Sequence, residues 1–365
     1  MRSSAELRGR WPDRECCVRA TLPGKARING ATGEHMKSRT SLTIALICVT
    51  ALSAILAGAL AFGGPKPLPP MASINNPFKT VDFSDLPSLS RYTASDGAPL
   101  AYRQYNPSGG VGKGSVVLVH GSSASSNSMH PLAKAYANAG YVAYALDIRG
   151  HGESGQKGQI AYVGQLEDDI AAFMKAATPP QPATLAGFSS GGGFVLRVAA
   201  SSRQELFQSY LLLSPFLSQN APSTRPDSGG WVSVGMPRII GIALLNMAGL
   251  HAFDAMPVVE FALSEDAKRI LTPQYGFALA INFRPDRDYA ADIKAVRHPC
   301  AVIAGRDDEV FITDRFEPLF RSLGKDWPVT LLPGIGHIPL TIAPAALAQA
   351  VQAVGRLQGT ASRGS

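Results

Sequence analysis

Six short apolar runs constrain this chain more than any other feature: Ser115–Val119, Tyr141–Leu146, Ala183–Ala186, Tyr210–Leu213, Cys300–Ala304 and Val329–Leu332. None alternates with polar residues, and each gives way to a turn built from Gly, Ser, Asp or Pro. That is the pattern of strands buried on both faces of a parallel sheet. Helical stretches separate them: Pro131–Ala139, Val163–Ala177, Gly192–Ala200, Asp314–Leu323 and Pro344–Leu357. Tyr92–Thr93 and Leu100–Tyr105 read as an opening antiparallel pair. Strands alternating with helices predict a doubly wound α/β sheet whose ligand site lies at the C-terminal ends of the strands. Only Ser214–Pro299 breaks the rhythm.

The N-terminal part is different in kind. No charged residue occurs from Thr40 to Pro65, and the 21 residues Leu42–Phe62 are mostly Leu, Ile, Ala and Val. As a helix they would span about 31 Å, close to the thickness of a bilayer core. Lys37 and Arg39 precede the span, which by the positive-inside rule sends the following domain out of the cytoplasm. Ala59-Leu60-Ala61 also fits a signal-peptide cleavage site, so anchor and cleaved signal both stay open. The expected organisation is a basic, disordered leader at 1–39 with a possible true start at Met36, the apolar segment at 40–64, and a Pro-rich linker at 65–75. The folded domain follows at 76–365. Cys16 and Cys17 fall in the leader and Cys48 in the span, which leaves Cys300 as the single cysteine of the domain.

The net charge of +7 raises the question of a nucleic-acid partner. Residues 1–40 hold nine Lys/Arg against four acids, so +5 of the +7 belongs to the leader. The domain has no basic stripe of the kind that follows a phosphate backbone, and no nucleic-acid partner is expected. No phosphate-binding glycine loop, dinucleotide fingerprint or metal-spaced Cys/His set occurs, so neither cofactor nor metal is expected.

Chemistry concentrates at three strand ends. Gly187-Phe188-Ser189-Ser190-Gly191 stands between an apolar run and a helical stretch. A sharp strand-to-helix turn there would lift the Ser189 hydroxyl above the sheet, and crowding demands the small residues Gly187 and Gly191. A chemically idle Gly/Ser turn would match the same five letters but not their position. A serine nucleophile needs a base and an acid that orients the base. Gly305-Arg306-Asp307-Asp308 follows the next-to-last strand, and Asp308 suits the turn better, with Asp307 as the runner-up. His337, in Pro333-Gly334-Ile335-Gly336-His337, is the only histidine beyond that acid, and a histidine titrates near working pH. His130, His251 and His298 show no partner and read as surface or cap residues. His120-Gly121-Ser122-Ser123 follows the third strand, where the Ser122 and Ser190 N–H groups would form an oxyanion hole.

Asp147-Ile148-Arg149-Gly150-His151-Gly152-Glu153-Ser154 completes the set. It is similar to the D-x-R-G-H-G-x-S stretch of the α/β-hydrolase superfamily, and the chain from about 90 to 357 most resembles the monoacylglycerol lipase/lysophospholipase branch. The resemblance implies an α/β-hydrolase fold: a mostly parallel eight-stranded sheet with a helical cap, about 215–298, inserted after strand 6. In that setting Arg149 and His151 brace loops rather than catalyse. The apolar cap, with Trp231, Met236, Ile239, Leu244, Met256 and Phe261, would suit a lipophilic acyl group. Ser122-Ser123-Ala124-Ser125-Ser126 departs from the bulky or Gly residue usual after His-Gly. The expected function is hydrolysis of carboxylic esters of lipophilic acyl chains by Ser189, His337 and Asp308. A lipid or small-molecule ester is the substrate, and the membrane is a partner through the apolar helix. Amide hydrolysis, acyl transfer and a catalytically silent binding protein are the alternatives.

Overall fold

The computed structural model describes residues 31–109 and 112–361, and most of the leader, with Cys16 and Cys17, lies outside them. The chain divides into two compact units, Met1–Ala54 and Ile55–Ser365. A helix at Ala31–Phe62 takes in residues 31–39 of the expected leader. Within it, Ser41–Phe62 has a mean hydropathy of 2.5 and no buried residue, the one helix among the described residues long and apolar enough to cross a membrane.

The larger unit is built on an eight-stranded sheet. In chain order its strands are β1 (Leu89–Thr93), β2 (Pro99–Tyr105), β3 (Ser115–Val119), β4 (Val142–Leu146), β5 (Ala183–Phe188) and β6 (Ser209–Leu213). After the cap strands β7 (Val232–Val234), β8 (Pro257–Phe261) and β9 (Gln274–Gly276), the sheet resumes with β10 (Cys300–Gly305) and β11 (Val329–Leu332). The spatial order is β1-β2-β4-β3-β5-β6-β10-β11. β1 and β2 are antiparallel, β2 runs antiparallel to β4, and all later pairs are parallel. Every residue of β3, β4, β5, β6 and β10 is buried. This explains their uninterrupted apolar runs, because helices cover both faces. β5, β6, β10 and β11 are consecutive neighbours, so the loops leaving their C-terminal ends converge. Ser189, Asp308 and His337 lie on three of those loops.

The cap inserted between β6 and β10 is helical only in part. Beside the helices Met236–Met247, Glu265–Ile270, Phe277–Asn282 and Tyr289–Ala295, it holds the antiparallel sheet β7-β8-β9. Two of those strands are three residues long, too short to show a periodicity. Trp231 and Phe261 are buried, as expected of an apolar cap, whereas Met236, Ile240, Leu244, Met247 and Leu250 are exposed. The cap also receives the end of the apolar helix. The Arg238 guanidinium donates to the Leu60 and Ala61 carbonyls at 2.8 and 3.2 Å, and Lys66 N–H donates to Ser233 Oγ at 2.8 Å.

The three histidines read as unpartnered all have partners. His130 is buried, with Nδ1 3.0 Å from the Tyr105 hydroxyl and Nε2 3.1 Å from Asp85 Oδ1. It opens the helix His130–Asn138, whose inner face covers the sheet. His298 meets Glu205 at 3.0 Å, and His251, exposed on the cap, meets Asp254 at 3.2 Å. Glu205 lies in the short 3-10 helix Gln204–Leu206 and Asp254 in a turn, both too short to carry a periodic signal.

Candidate active site

Ser189 sits in a conformation that side chains rarely adopt, with φ 56° and ψ −120°. Strain of this kind persists only where the surroundings dictate it. A Cβ on Gly187 would fall 2.3 Å from the Gly191 carbonyl oxygen, and one on Gly191 would fall 2.2 Å from the His120 carbonyl oxygen. Backbone therefore presses on the turn from both sides, and only glycine fits. Ser189 N–H donates to the Leu213 carbonyl of β6 at 2.9 Å, and the helix Ser190–Ala200 begins directly after it. That helix directs its positive end toward the serine.

His337 Nε2 lies 3.1 Å from Ser189 Oγ, and His337 Nδ1 lies 2.8 Å from Asp308 Oδ2. The other Asp308 oxygen accepts the N–H groups of Val310 and Phe311 at 2.8 and 2.9 Å. Burial by itself would raise the Asp308 pKa. The His337 imidazole and the Phe311 N–H outweigh it and hold the carboxyl below its ordinary value. Asp308 is therefore ionised and fixed, able to hold the imidazole in one tautomer. Asp307, by contrast, is exposed. The structure thus brings together Ser189, Asp308 and His337, which the sequence spreads over 148 positions, and leaves Asp307 outside.

Two cavities meet at this serine. The first, about 420 Å³, is lined by Ile74, Phe78, Phe83 and Leu86 before β1, by the loop after β3, and by Leu263, Ile270 and Ile338. The second, about 430 Å³, is lined by Ser190, Phe216, Val259, Phe283, Arg284 and Arg287 among others. Ser122, Ser189 and Trp231 line both.

The loop after β3 is held by the cap. Ser123, at φ 69°, donates its N–H to the Tyr275 hydroxyl at 2.6 Å and its Oγ–H to the Thr272 carbonyl at 2.7 Å. Thr272 N–H donates back to the Ser123 carbonyl at 2.9 Å. Tyr275 in turn reaches His151 Nε2 at 2.6 Å. Burial, and then the neighbouring His120, keep the His151 pKa well below its ordinary value, so its ring is neutral and accepts that proton. Arg149 pairs with Asp169 at 2.7 Å and Asp96 at 3.0 Å. Both residues brace loops, as the sequence suggests. Thr272 and Tyr275 escaped the sequence reading, and Trp231 entered it only as part of the apolar cap, because their partners lie about 110 to 150 positions away. Glu309 escaped as well; its Oε2 accepts the His337 backbone N–H at 2.9 Å.

Among the described residues no group of three or more His, Cys, Asp or Glu is placed to hold a metal ion.

Comparison with known proteins agrees with this architecture. A monoacylglycerol lipase of Mycolicibacterium smegmatis is 35% identical over 92 residues, covering 24% of this chain and 33% of that protein. A monoglyceride lipase of Rattus norvegicus is 26% identical over 186 residues, covering 50% of this chain and 58% of that protein. The chain thus spans between about a third and three-fifths of the length of these relatives. In fold it resembles the crystal structure of a soluble variant of monoglyceride lipase from Saccharomyces cerevisiae. There the TM-score is 0.57 at 18% identity, over 78% of this chain and 99% of that one. The family model described as serine aminopeptidase, S33 matches residues 111–341, from just before β3 to beyond His337. That match takes in more than half of the chain, which belongs to this family, an α/β-hydrolase similar to the monoacylglycerol lipases.

Proposed function

We propose that this protein is a serine hydrolase that cleaves carboxylic esters of lipophilic acyl chains through an acyl-enzyme. The observation that carries the reading is the relay Ser189 Oγ–His337 Nε2, His337 Nδ1–Asp308 Oδ2, at 3.1 and 2.8 Å, opening on an apolar cavity. Ser189 Oγ attacks the ester carbonyl while His337 takes its proton, and Asp308 stabilises the imidazolium that forms. The N–H groups of Ser122 and Ser190 hold the oxyanion; both residues line the cavity beside Ser189, and Ser190 opens a helix, where an N–H lacks an upstream carbonyl. His337 then returns the proton to the leaving alcohol, and water releases the acid by the same path. The first cavity takes the acyl chain.

The family description favours amide cleavage at a free N-terminus as a second reading. An aminopeptidase needs a carboxylate to receive the substrate ammonium. Asp286 is the one carboxylate lining either cavity among the described residues, and it already pairs with Arg197. That weighs toward esters. The deciding experiment compares kcat/KM for p-nitrophenyl esters from acetate to palmitate with that for aminoacyl p-nitroanilides, with Ser189→Ala as control. Faster turnover of the anilides would displace the ester reading.

The apolar helix serves in this account as a retained membrane anchor, with the hydrolase domain outside the cytoplasm. Its length and the preceding Lys37 and Arg39 support this. So does the grip of Arg238 on Leu60 and Ala61, at the position where a signal peptide would be cut.

A further inference from the structure

Arg284 follows the cap helix Phe277–Asn282 and lines the second cavity with Ser189 and Ser190. Among the described residues it closes no hydrogen bond and no ion pair, and its Nε is buried without an acceptor. A largely buried guanidinium without a counter-charge is expensive, because a chain pairs or exposes such a group when nothing else requires it. The charges around it do not relieve the cost. Arg197 is satisfied by Glu167 and Asp286, and Asp286 attracts Arg284 without pairing with it. Burial, and then the like charge of Arg197, lower the basicity of Arg284, yet a guanidinium keeps its proton in a protein. Arg287 lines the same cavity and is exposed. The first cavity differs: apart from His337, no titratable side chain lines it.

An ester bound at Ser189 extends to both sides of the reacting carbonyl, acyl chain one way and alcohol the other. The apolar cavity suits the chain, which leaves the cationic cavity for the alcohol. We propose that Arg284 receives an anion carried by the alcohol part of the substrate, the phosphate of a lysophospholipid head group, and so selects anionic acyl esters over neutral ones. The proposal rests on the reading of Ser189 as the nucleophile. In the reaction, the Ser189 Oγ–acyl bond forms as the bond from the acyl carbon to the glycerol oxygen breaks. The departing alkoxide takes its proton from His337, and water then cleaves the acyl-enzyme. Arg284 acts only in binding and touches no reacting atom. A guanidinium is suited to the role because its fork matches two phosphate oxygens at once.

The test uses the full chain in neutral detergent micelles with two substrates of the same acyl chain, 1-palmitoylglycerol 3-phosphate and 1-palmitoylglycerol. The wild type is expected to favour the phosphate ester by about tenfold or more in kcat/KM, the size of one charge-assisted contact. Arg284→Gln should remove most of that preference through KM, and Arg284→Lys should keep part of it. A second measurement needs no variant. Glycerol 3-phosphate should inhibit p-nitrophenyl butyrate hydrolysis by the wild type far more strongly than glycerol does, and more strongly than inorganic phosphate. Equal turnover of the two lipids, or a preference that survives in Arg284→Gln, would overturn the proposal. Equal inhibition by glycerol 3-phosphate and inorganic phosphate would overturn its head-group part. If no ester turns over, p-nitrophenyl butyrate included, the serine-hydrolase reading itself fails, and the two failures are therefore told apart.

Discussion

Trp231 donates its indole N–H to Ser122 Oγ at 3.0 Å, tying the cap to the loop after β3 at a point where both residues line both cavities. The indole also stacks on Phe261, with ring centroids 5.3 Å apart. Trp231 is thus a partition between an apolar and a cationic space, held in place from both sides.

Trp231→Ala should join the two cavities and flatten the dependence of kcat/KM on acyl chain length. Trp231→Phe should keep the partition but lose the bond to Ser122, worth about 1 kcal/mol, or about fivefold in rate. Steady-state kinetics across the p-nitrophenyl ester series checks both. A chain-length profile unchanged in Trp231→Ala would show that the wall is not what sorts acyl chains.

Asp308→Asn should lower kcat by about 10⁴ by favouring the wrong histidine tautomer, while Asp307→Asn should stay within a few-fold of wild type. The reason is geometric: Asp308 is buried against His337 Nδ1, and Asp307 faces solvent. Comparable losses in the two variants would contradict the assignment.

Asp292 provides a test of electrostatics away from the site. Burial pushes its pKa up to about 6 from the ordinary 3.8, against the N–H that Asp286 donates to it. A carboxyl whose pKa is raised by folding favours the folded state when protonated. Its contribution is intact below about pH 4 and is lost as pH rises through about 6. Asp292→Asn keeps an acceptor for Asp286 and cannot ionise. It should therefore raise Tm above pH 7 and leave it nearly unchanged at pH 4, as read by thermal melts across that range. A constant shift at every pH would remove the pKa as its cause.

Alkaline phosphatase fused at residue 75 should be active, and the mature protein should fractionate with membranes at a mass that includes Ser41–Phe62. Arg238→Ala, which releases the Leu60 and Ala61 carbonyls, should make the segment more accessible to proteolysis without detaching the protein. A soluble product beginning near Phe62 would show that the helix is a cleaved signal.

The parts legible in the sequence are those written by local sterics and strand burial. Gly187 and Gly191 announce the turn because backbone occupies the space a Cβ would need. β3, β4, β5, β6 and β10 announce themselves because both of their faces are covered. His337 could be chosen by chain order alone. What stayed hidden depends on contacts between distant segments. Nothing near Trp231, Thr272 or Tyr275 signals that they grip residues 122 and 123. By sequence the polar Ser122–Ser126 stretch is only a departure from the family pattern; in the folded chain the Ser122 hydroxyl and the Ser123 N–H and hydroxyl have their partners in the cap. The insertion of β3 between β4 and β5 is likewise a tertiary fact, although it decides which loops surround Ser189. Arg284 could not be singled out among the other arginines, because its lack of a partner exists only in the folded chain.

Labelling with a fluorophosphonate followed by peptide mapping tests the central claim most directly. The account predicts one stoichiometric adduct on Ser189, abolished in Ser189→Ala with the fold and Tm retained, and ester hydrolysis lost in parallel by about 10⁴-fold or more. A protein that hydrolyses esters without an adduct at Ser189, or with unchanged turnover in Ser189→Ala, would contradict it.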